Sequence, residues 1–202
     1  LVQGDINTQA YRKFDPVNPT DVSIASSLGA ADKKVLGNVL PTYFGAFNSN
    51  MAYKNFDLGF MFRFSGGNKI NNLTRRELLS QGFNNNGTEI LGRWQSIDNP
   101  GDGWTPRLRD DRETIININQ ASSRFVEKGD YIKLDNITLG YNLPKSVLDK
   151  VGLEKFRLFV QGQNLLIITD YKGLDPEMEV LGNDYNGTPR SRIFSIGLNV
   201  GF

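Results

Sequence analysis

Several stretches of the chain alternate strictly between apolar residues and small or polar residues. In the clearest stretch every even position is apolar: Phe56, Leu58, Phe60, Phe62 and Phe64. The last stretch repeats the pattern from Phe194 to Phe202, with Ser, Gly and Asn in between. Because successive side chains of a strand point to opposite faces, each stretch predicts a β-strand with one apolar and one polar face.

We predict five strands, at residues 42–53, 56–64, 131–143, 156–168 and 192–202. The first two should form a hairpin through the tight junction at residues 53–55. Later connections alternate between short and long, and residues 66–128 and 170–191 are predicted as long extracellular loops. Residues 1–41 are poorly periodic and are predicted to be irregular, also as extracellular loop. Short turns on one side and long loops on the other are typical of outer-membrane barrels, so residues 42–202 are assigned to such a barrel.

The composition excludes several classes of function. The formal net charge is +1, which gives no electrostatic footprint for nucleic acid. Without Cys or His, the chain lacks thiolate nucleophiles, imidazole bases and the usual zinc ligands, and we expect no cofactor. Apolar runs all fall short of the roughly 18 to 20 residues of a membrane helix, so any spanning segment must be a strand. Leu1 is not followed by an export signal, so we expect that the signal was removed or that the chain is part of a longer polypeptide.

The apolar faces also allow a soluble alternative. An all-β carbohydrate-binding module would cover them with a second sheet and could stack Trp94 and Trp104 on a sugar. In a barrel the same tryptophans would be extracellular contacts to a ligand or partner. A glycosidase would need two carboxylates about 5 to 10 Å apart, for which Asp175, Glu177 and Glu179 are the candidates. Support for catalysis is weak, and we expect that the chain is not an enzyme.

Several short motifs resemble one known family when they are taken together and in order. They are FGAF at 44–47 leading to YKNFDL at 53–58, GGNKI at 66–70, KGDYIKL at 128–134, NITLGY at 136–141, VQGQNLL at 160–166 and YKGLDPE at 171–177. Over residues 41–202 the chain resembles the C-terminal part of the SusC/RagA family of TonB-linked outer-membrane proteins from Bacteroidota. The stretch at 15–21 departs from the Gly-containing Asp-rich loop that members often carry.

The resemblance implies an all-β fold, an antiparallel transmembrane barrel of about 22 strands of which this chain supplies about the last five. It implies location in the bacterial outer membrane and active import of glycans or peptides. The implied partners are a SusD-like surface lipoprotein as lid, outer-membrane lipid, and TonB through a part of the protein that is absent here. Ending on Phe202 resembles the aromatic terminus that outer-membrane proteins present to their assembly machinery.

Four polar side chains should face the barrel lumen if the alternation holds: Arg63, Arg157, Gln161 and Gln163. They could line a solute path, or they could simply hydrate the wall or bond a plug. We favour the second reading, because a polar lumen wall is a general property of such barrels.

Overall fold

The computed structural model describes residues 11–14, 22–25, 30, 33–80, 85–108, 122–177 and 181–202. The chain divides into two compact units, of which one comprises residues 38–70, 127–183 and 187–202 and the other the remaining segments. The first of these units is built on a five-stranded antiparallel sheet. Its strands are β3 (Tyr43–Tyr53), β4 (Phe56–Gly66), β7 (Tyr131–Asn142), β8 (Lys155–Thr169) and β10 (Ile193–Gly201). Their spatial order is β10-β8-β7-β4-β3.

All five predicted strands are present, with ends that differ from the prediction by at most two residues. β3 and β4 form the expected hairpin, in which Tyr53 pairs with Phe56 and only Lys54 and Asn55 form the turn. Lys54 has a φ of 54°, in the left-handed region that tight hairpin turns require. β7 and β8 are joined through the short helix Lys145–Val151, which ends at Gly152 with a φ of 68°.

The strand register places the apolar positions on one continuous face. Directly paired residues of an antiparallel sheet share a face. One such row runs across the whole sheet through Met51, Leu58, Leu139, Val160 and Ile196. Leu139 is 47% exposed and Ile196 is 78% exposed. Within the described residues the apolar face therefore lies exposed, whereas the soluble alternative requires a second sheet that covers it.

Phe159 breaks the alternation of β8 because it lies on the polar face. It pairs with Gly140 on one side and with Gly197 on the other. A methyl group at Gly197 would collide with the ring of Phe159, so the glycine provides the space that the ring fills. The guanidinium carbon of Arg157 lies 5.0 Å from the ring centroid, a cation–π distance. The exception is therefore a local packing arrangement, and the faces of β8 keep their assignment.

Residues 1–41 are not wholly irregular, contrary to the prediction. Strands β1 (Tyr11–Phe14) and β2 (Val22–Ala25) pair in antiparallel fashion. Four residues are too few for an alternating pattern to stand out from chance, which is why periodicity missed them.

The long connections contain only short elements within the described residues. They are the strands β5 (Lys69–Asn72), β6 (Val126–Lys128) and β9 (Asn183–Asp184), the helix Leu73–Leu78, and the 3-10 helices Thr88–Gly92 and Ser123–Phe125. In the sequence, residues 74–81 followed by Gly82 also resemble one short capped helix, and Gln81 lies outside the described residues. The N-terminus of the helix Leu73–Leu78 is capped by Asn72, whose side chain accepts a hydrogen bond of 2.8 Å from the backbone N–H of Arg75. None of the described helices is both long and apolar enough to cross a membrane.

Candidate functional site on the polar face

An irregularity in β7 sets the geometry of the site. Ile132 and Leu134 lie on the apolar face at even positions, whereas Ile137 and Leu139 lie there at odd positions. Between them Asp135 is bulged, because Leu134 pairs with Phe62 and Asn136 with Met61. A bulge adds one residue to a strand and changes the direction of its side chain. Asp135 thereby brings a carboxylate to Arg63 of β4.

Five charged side chains meet at the end of the sheet nearest the long loops. Arg63 Nη2 donates to Asp135 Oδ1 at 2.8 Å and contacts Glu177 Oε1 at 2.8 Å. Lys133 Nζ donates to Glu177 Oε2 at 2.7 Å. Arg190 Nη1 lies 3.6 Å from Glu177 Oε1. We call these five residues the loop-end cluster; three cations surround two carboxylates, with Glu177 at the centre.

Burial makes the loop-end cluster electrostatically strong. Lys133 is only 1% exposed, and the side chain of Glu177 is 10% exposed. Burial alone would raise the pKa of Glu177. The hydrogen bond from Lys133 and the positive charges of Lys133, Arg63 and Arg190 outweigh it and bring that pKa below its ordinary value. Glu177 is therefore ionised at neutral pH and serves as an ion-pair partner.

A smaller pair lies at the opposite end of the polar face, near the short turns. Arg157 of β8 donates through Nε to Asp57 Oδ1 at 3.0 Å and through Nη2 to Asp57 Oδ2 at 2.5 Å. Asn142 also donates to Asp57 Oδ1, at 2.8 Å. The pair crosses β7 directly above Gly140, where a methyl group would lie 2.5 Å from either Asp57 oxygen. We call Asp57 and Arg157 the turn-end pair; Asn142 is its neutral neighbour.

Between these two groups the polar face carries neutral side chains. Gln161 pairs with Thr138, and Gln163 pairs with Asn136. Both glutamines are half-buried. The four predicted lumen-facing residues thus share one face but do not converge: Arg63 lies at the loop end, Arg157 at the turn end, and the two glutamines lie between them. The alternation correctly put them on the polar side, and the lumen itself remains a prediction.

Sequence reasoning missed Lys133 and Asp135 and considered Glu177 only as a candidate catalyst. The parity change within β7 was visible in the sequence and would have indicated the bulge. Glu177 also donates its backbone N–H to Asp175 at 2.9 Å, so the two carboxylates are neighbours in one turn. They do not face each other across a cleft as glycoside hydrolysis needs. Glu179 lies outside the described residues.

The tryptophans belong to a compact loop. Trp94 donates its backbone N–H to the carbonyl oxygen of Thr105 at 2.8 Å. Asp102 accepts from the backbone N–H groups of Trp104 and Thr105, both at 2.7 Å. Trp104 is 58% exposed, whereas Trp94 is half-buried. Trp104 is therefore available for contact, and its role as a ligand or partner contact stays a prediction.

Phe202 is exposed just beyond β10, and its role in assembly also stays a prediction.

Comparison with known proteins identifies the relatives of this chain. No protein-family model matches the sequence. It is 37% identical over 193 residues to TonB-dependent receptor P3 of Formosa agariphila, covering 90% of this chain and 18% of the relative. It is 33% identical over 174 residues to TonB-dependent receptor SusC of Bacteroides thetaiotaomicron, covering 84% of this chain and 16% of the relative. The chain thus spans less than a fifth of the length of these relatives.

Solved structures show the same fold. The chain superposes on RagAB, a peptide importer captured in an open-open state, with a TM-score of 0.75, 24% identity and coverage of 96% of this chain and 20% of that chain. The RagAB peptide transporter gives a TM-score of 0.74 at 25% identity, with coverage of 91% and 20%. The five-stranded sheet is therefore part of a transmembrane β-barrel wall, and its barrel is not closed by this chain. Its strands of 9 to 15 residues are long enough to cross an outer membrane.

These relatives are receptors and transporters of the bacterial outer membrane and are not enzymes. The resemblance found in the sequence motifs is thereby confirmed. The chain belongs to the SusC/RagA-type TonB-dependent receptors of the outer membrane and corresponds to part of their full length.

Proposed function

We propose that this chain is part of the barrel wall of an outer-membrane importer of nutrients. The observation that supports this proposal is the agreement between the relatives of the chain and the surface of its sheet. The relatives that align with most of the chain are TonB-dependent receptors. The sheet itself has one apolar, exposed face and one polar face. Such a wall needs lipid on one side and water on the other.

We further propose that the imported nutrients are glycans or peptides, that a SusD-like lipoprotein forms a lid, and that TonB supplies the energy. The kinship with SusC supports the lid, and the likeness to a peptide importer supports peptides as one of the two classes. The polar face supports passage of hydrophilic solutes, because its charges are paired within the wall and its middle presents amides and hydroxyls. A wall of this kind attracts neither sign of charge strongly.

Uptake in whole cells tests the proposal. The protein that contains this chain would be deleted, then restored, in cells with and without TonB, and fluorescent oligosaccharides and peptides would be supplied separately. We expect intracellular signal for one class only when both the protein and TonB are present. Surface binding without uptake should remain when TonB alone is absent. Unchanged uptake of both classes after deletion would contradict the import proposal.

Affinity purification of the tagged protein from outer membranes tests the lid separately. A stoichiometric surface lipoprotein should co-purify in mild detergent. Its absence would remove the lid proposal while leaving import intact.

A further inference from the structure

The loop-end cluster connects a loop to the sheet. Arg63 belongs to β4, and Lys133 belongs to β7. Glu177 lies in the connection that follows β8, and Arg190 lies in the same connection before β10 begins. The ion pairs of Glu177 therefore fasten both halves of this loop to the polar face.

Each carboxylate oxygen of Glu177 faces a cation. Oε2 accepts from Lys133 at 2.7 Å, and Oε1 lies 2.8 Å from Arg63 and 3.6 Å from Arg190. Lys133 is buried, and a buried ammonium without a partner is costly. Lys133 thus strongly favours any loop conformation that keeps Glu177 in place.

The segment before Glu177 follows the same surface. Lys172 donates its backbone N–H to Glu127 at 2.8 Å, and Thr169 Oγ1 accepts from the N–H of Tyr171 at 3.1 Å. Tyr171 and Asp175 are buried at 5% and 8% exposure, whereas Leu174 between them is 59% exposed. Residues 170–177 therefore lie flat against their unit, with one side covered and one side open to water.

We propose that Glu177 is an electrostatic latch that holds residues 170–177 against the polar face at the loop end of the sheet, and that neutralising Glu177 releases this segment. The latch consists of Glu177 with Lys133, Arg63 and Arg190. It would fix the position of residues 170–177 at the loop end of the sheet, and any role of that position in import rests on the proposed function. The latch concerns the position of the loop and does not depend on which solute is imported.

The charges around Glu177 define how the latch responds to pH. The groups that face it are Arg63, Tyr131, Lys133 and Asp135 from the strands and Asp175 and Arg190 from the loop. Because the pKa of Glu177 is lowered in the folded protein, the latch is at full strength above the ordinary glutamate value. It weakens as the pH falls through the lowered value, where the arginines and lysine remain charged.

A spin label on the exposed side of the segment tests the latch. The chain contains no cysteine, so Leu174→Cys provides a single attachment point in it. In the outer-membrane protein that contains this chain, Glu177→Gln should lower the ratio of immobile to mobile label at least about tenfold. Asp170→Asn, which removes an exposed carboxylate of the same loop, should leave the ratio unchanged.

A second variant covers the case in which Glu177→Gln fails to assemble. Lys133→Met combined with Glu177→Gln removes the unpaired buried cation as well, so the sheet should assemble while the latch is absent. The label should again be mobile. In the wild-type background the mobile signal should appear only as the pH falls below the ordinary glutamate value and through the lowered pKa of Glu177. A label that stays immobile in the assembled variants would overturn the proposal, as would a wild-type signal that does not change with acid.

Discussion

The two ends of the polar face use the same kind of ion pair in different surroundings. At the loop end, Lys133 is 1% exposed and the side chain of Glu177 is 10% exposed. At the turn end, the side chains of Arg157 and Asp57 are 20% and 30% exposed. Water screens the second pair and scarcely reaches the first. We therefore expect burial, rather than the length of the hydrogen bonds, to decide how much stability is lost when one partner of each pair is removed.

The difference in burial has identifiable structural causes. At the loop end, the bulge at Asp135 adds a charged side chain, and residues 171–177 lie over the sheet. At the turn end, Gly140 has no side chain, and the ion pair lies directly on its backbone. This ion pair packs closely against the sheet backbone and remains exposed to solvent on its outer side.

The largest effect should follow loss of the carboxylate at the buried end. Glu177→Gln leaves Lys133 buried without its counter-charge and should lower the free energy of unfolding by about 3 kcal/mol. Adding Lys133→Met should recover most of that loss, because the unpaired charge is removed. Reversible denaturant unfolding in lipid vesicles measures both values. A double variant that is less stable than the single variant would show that burial of Lys133 is not the cause.

An intermediate effect should follow from filling the space beneath the turn-end pair. In Gly140→Ala the new methyl group would lie 2.6 Å from Arg157 Nε and 2.5 Å from the Asp57 oxygens. Both neighbours are ends of flexible side chains that can move, so we expect a loss of about 1 to 2 kcal/mol. The same unfolding measurement applies. The double variant Gly140→Ala with Asp57→Asn should lose less free energy of unfolding than the sum of the two single losses. Strict additivity of these losses would contradict a contact between positions 140 and 57.

The smallest effect should follow loss of charge at the turn end. Asp57→Asn removes a solvent-screened ion pair while keeping an oxygen that can accept from Arg157 and Asn142. The free energy of unfolding should fall by less than about 1 kcal/mol, and the difference should shrink further at high salt. A loss of unfolding free energy as large as that of Glu177→Gln would mean that the difference in solvent exposure does not explain the difference between the two ends of the polar face.

Periodicity predicted the faces of the sheet because each strand has a period of two residues and one side of it is apolar. The even positions from Phe56 to Phe64 and the terminal strand do share one face, as predicted. The placement of Phe159 on the polar face could not be predicted from its own strand, because the space for its ring is provided by Gly197 on another strand.

The loop-end cluster was less predictable. The parity change around Asp135 was readable from the sequence, whereas the partners of Glu177 were not. Lys133 and Glu177 are separated by 44 positions, and no local pattern links a loop carboxylate to a lysine on a distant strand. The β1–β2 pair was missed because four-residue strands are too short to show periodicity.

The central claim is that the apolar face contacts lipid, and fluorescence quenching tests it most directly. In the full-length protein, with Trp94, Trp104 and any tryptophan outside this chain replaced by Phe, a single tryptophan would be placed at Leu139 or at its neighbour Thr138, and the protein would be reconstituted in vesicles of brominated lipid. Leu139→Trp should be strongly quenched and Thr138→Trp only weakly, because adjacent strand residues face opposite sides. Equal quenching at both positions, or none at position 139, would contradict the account.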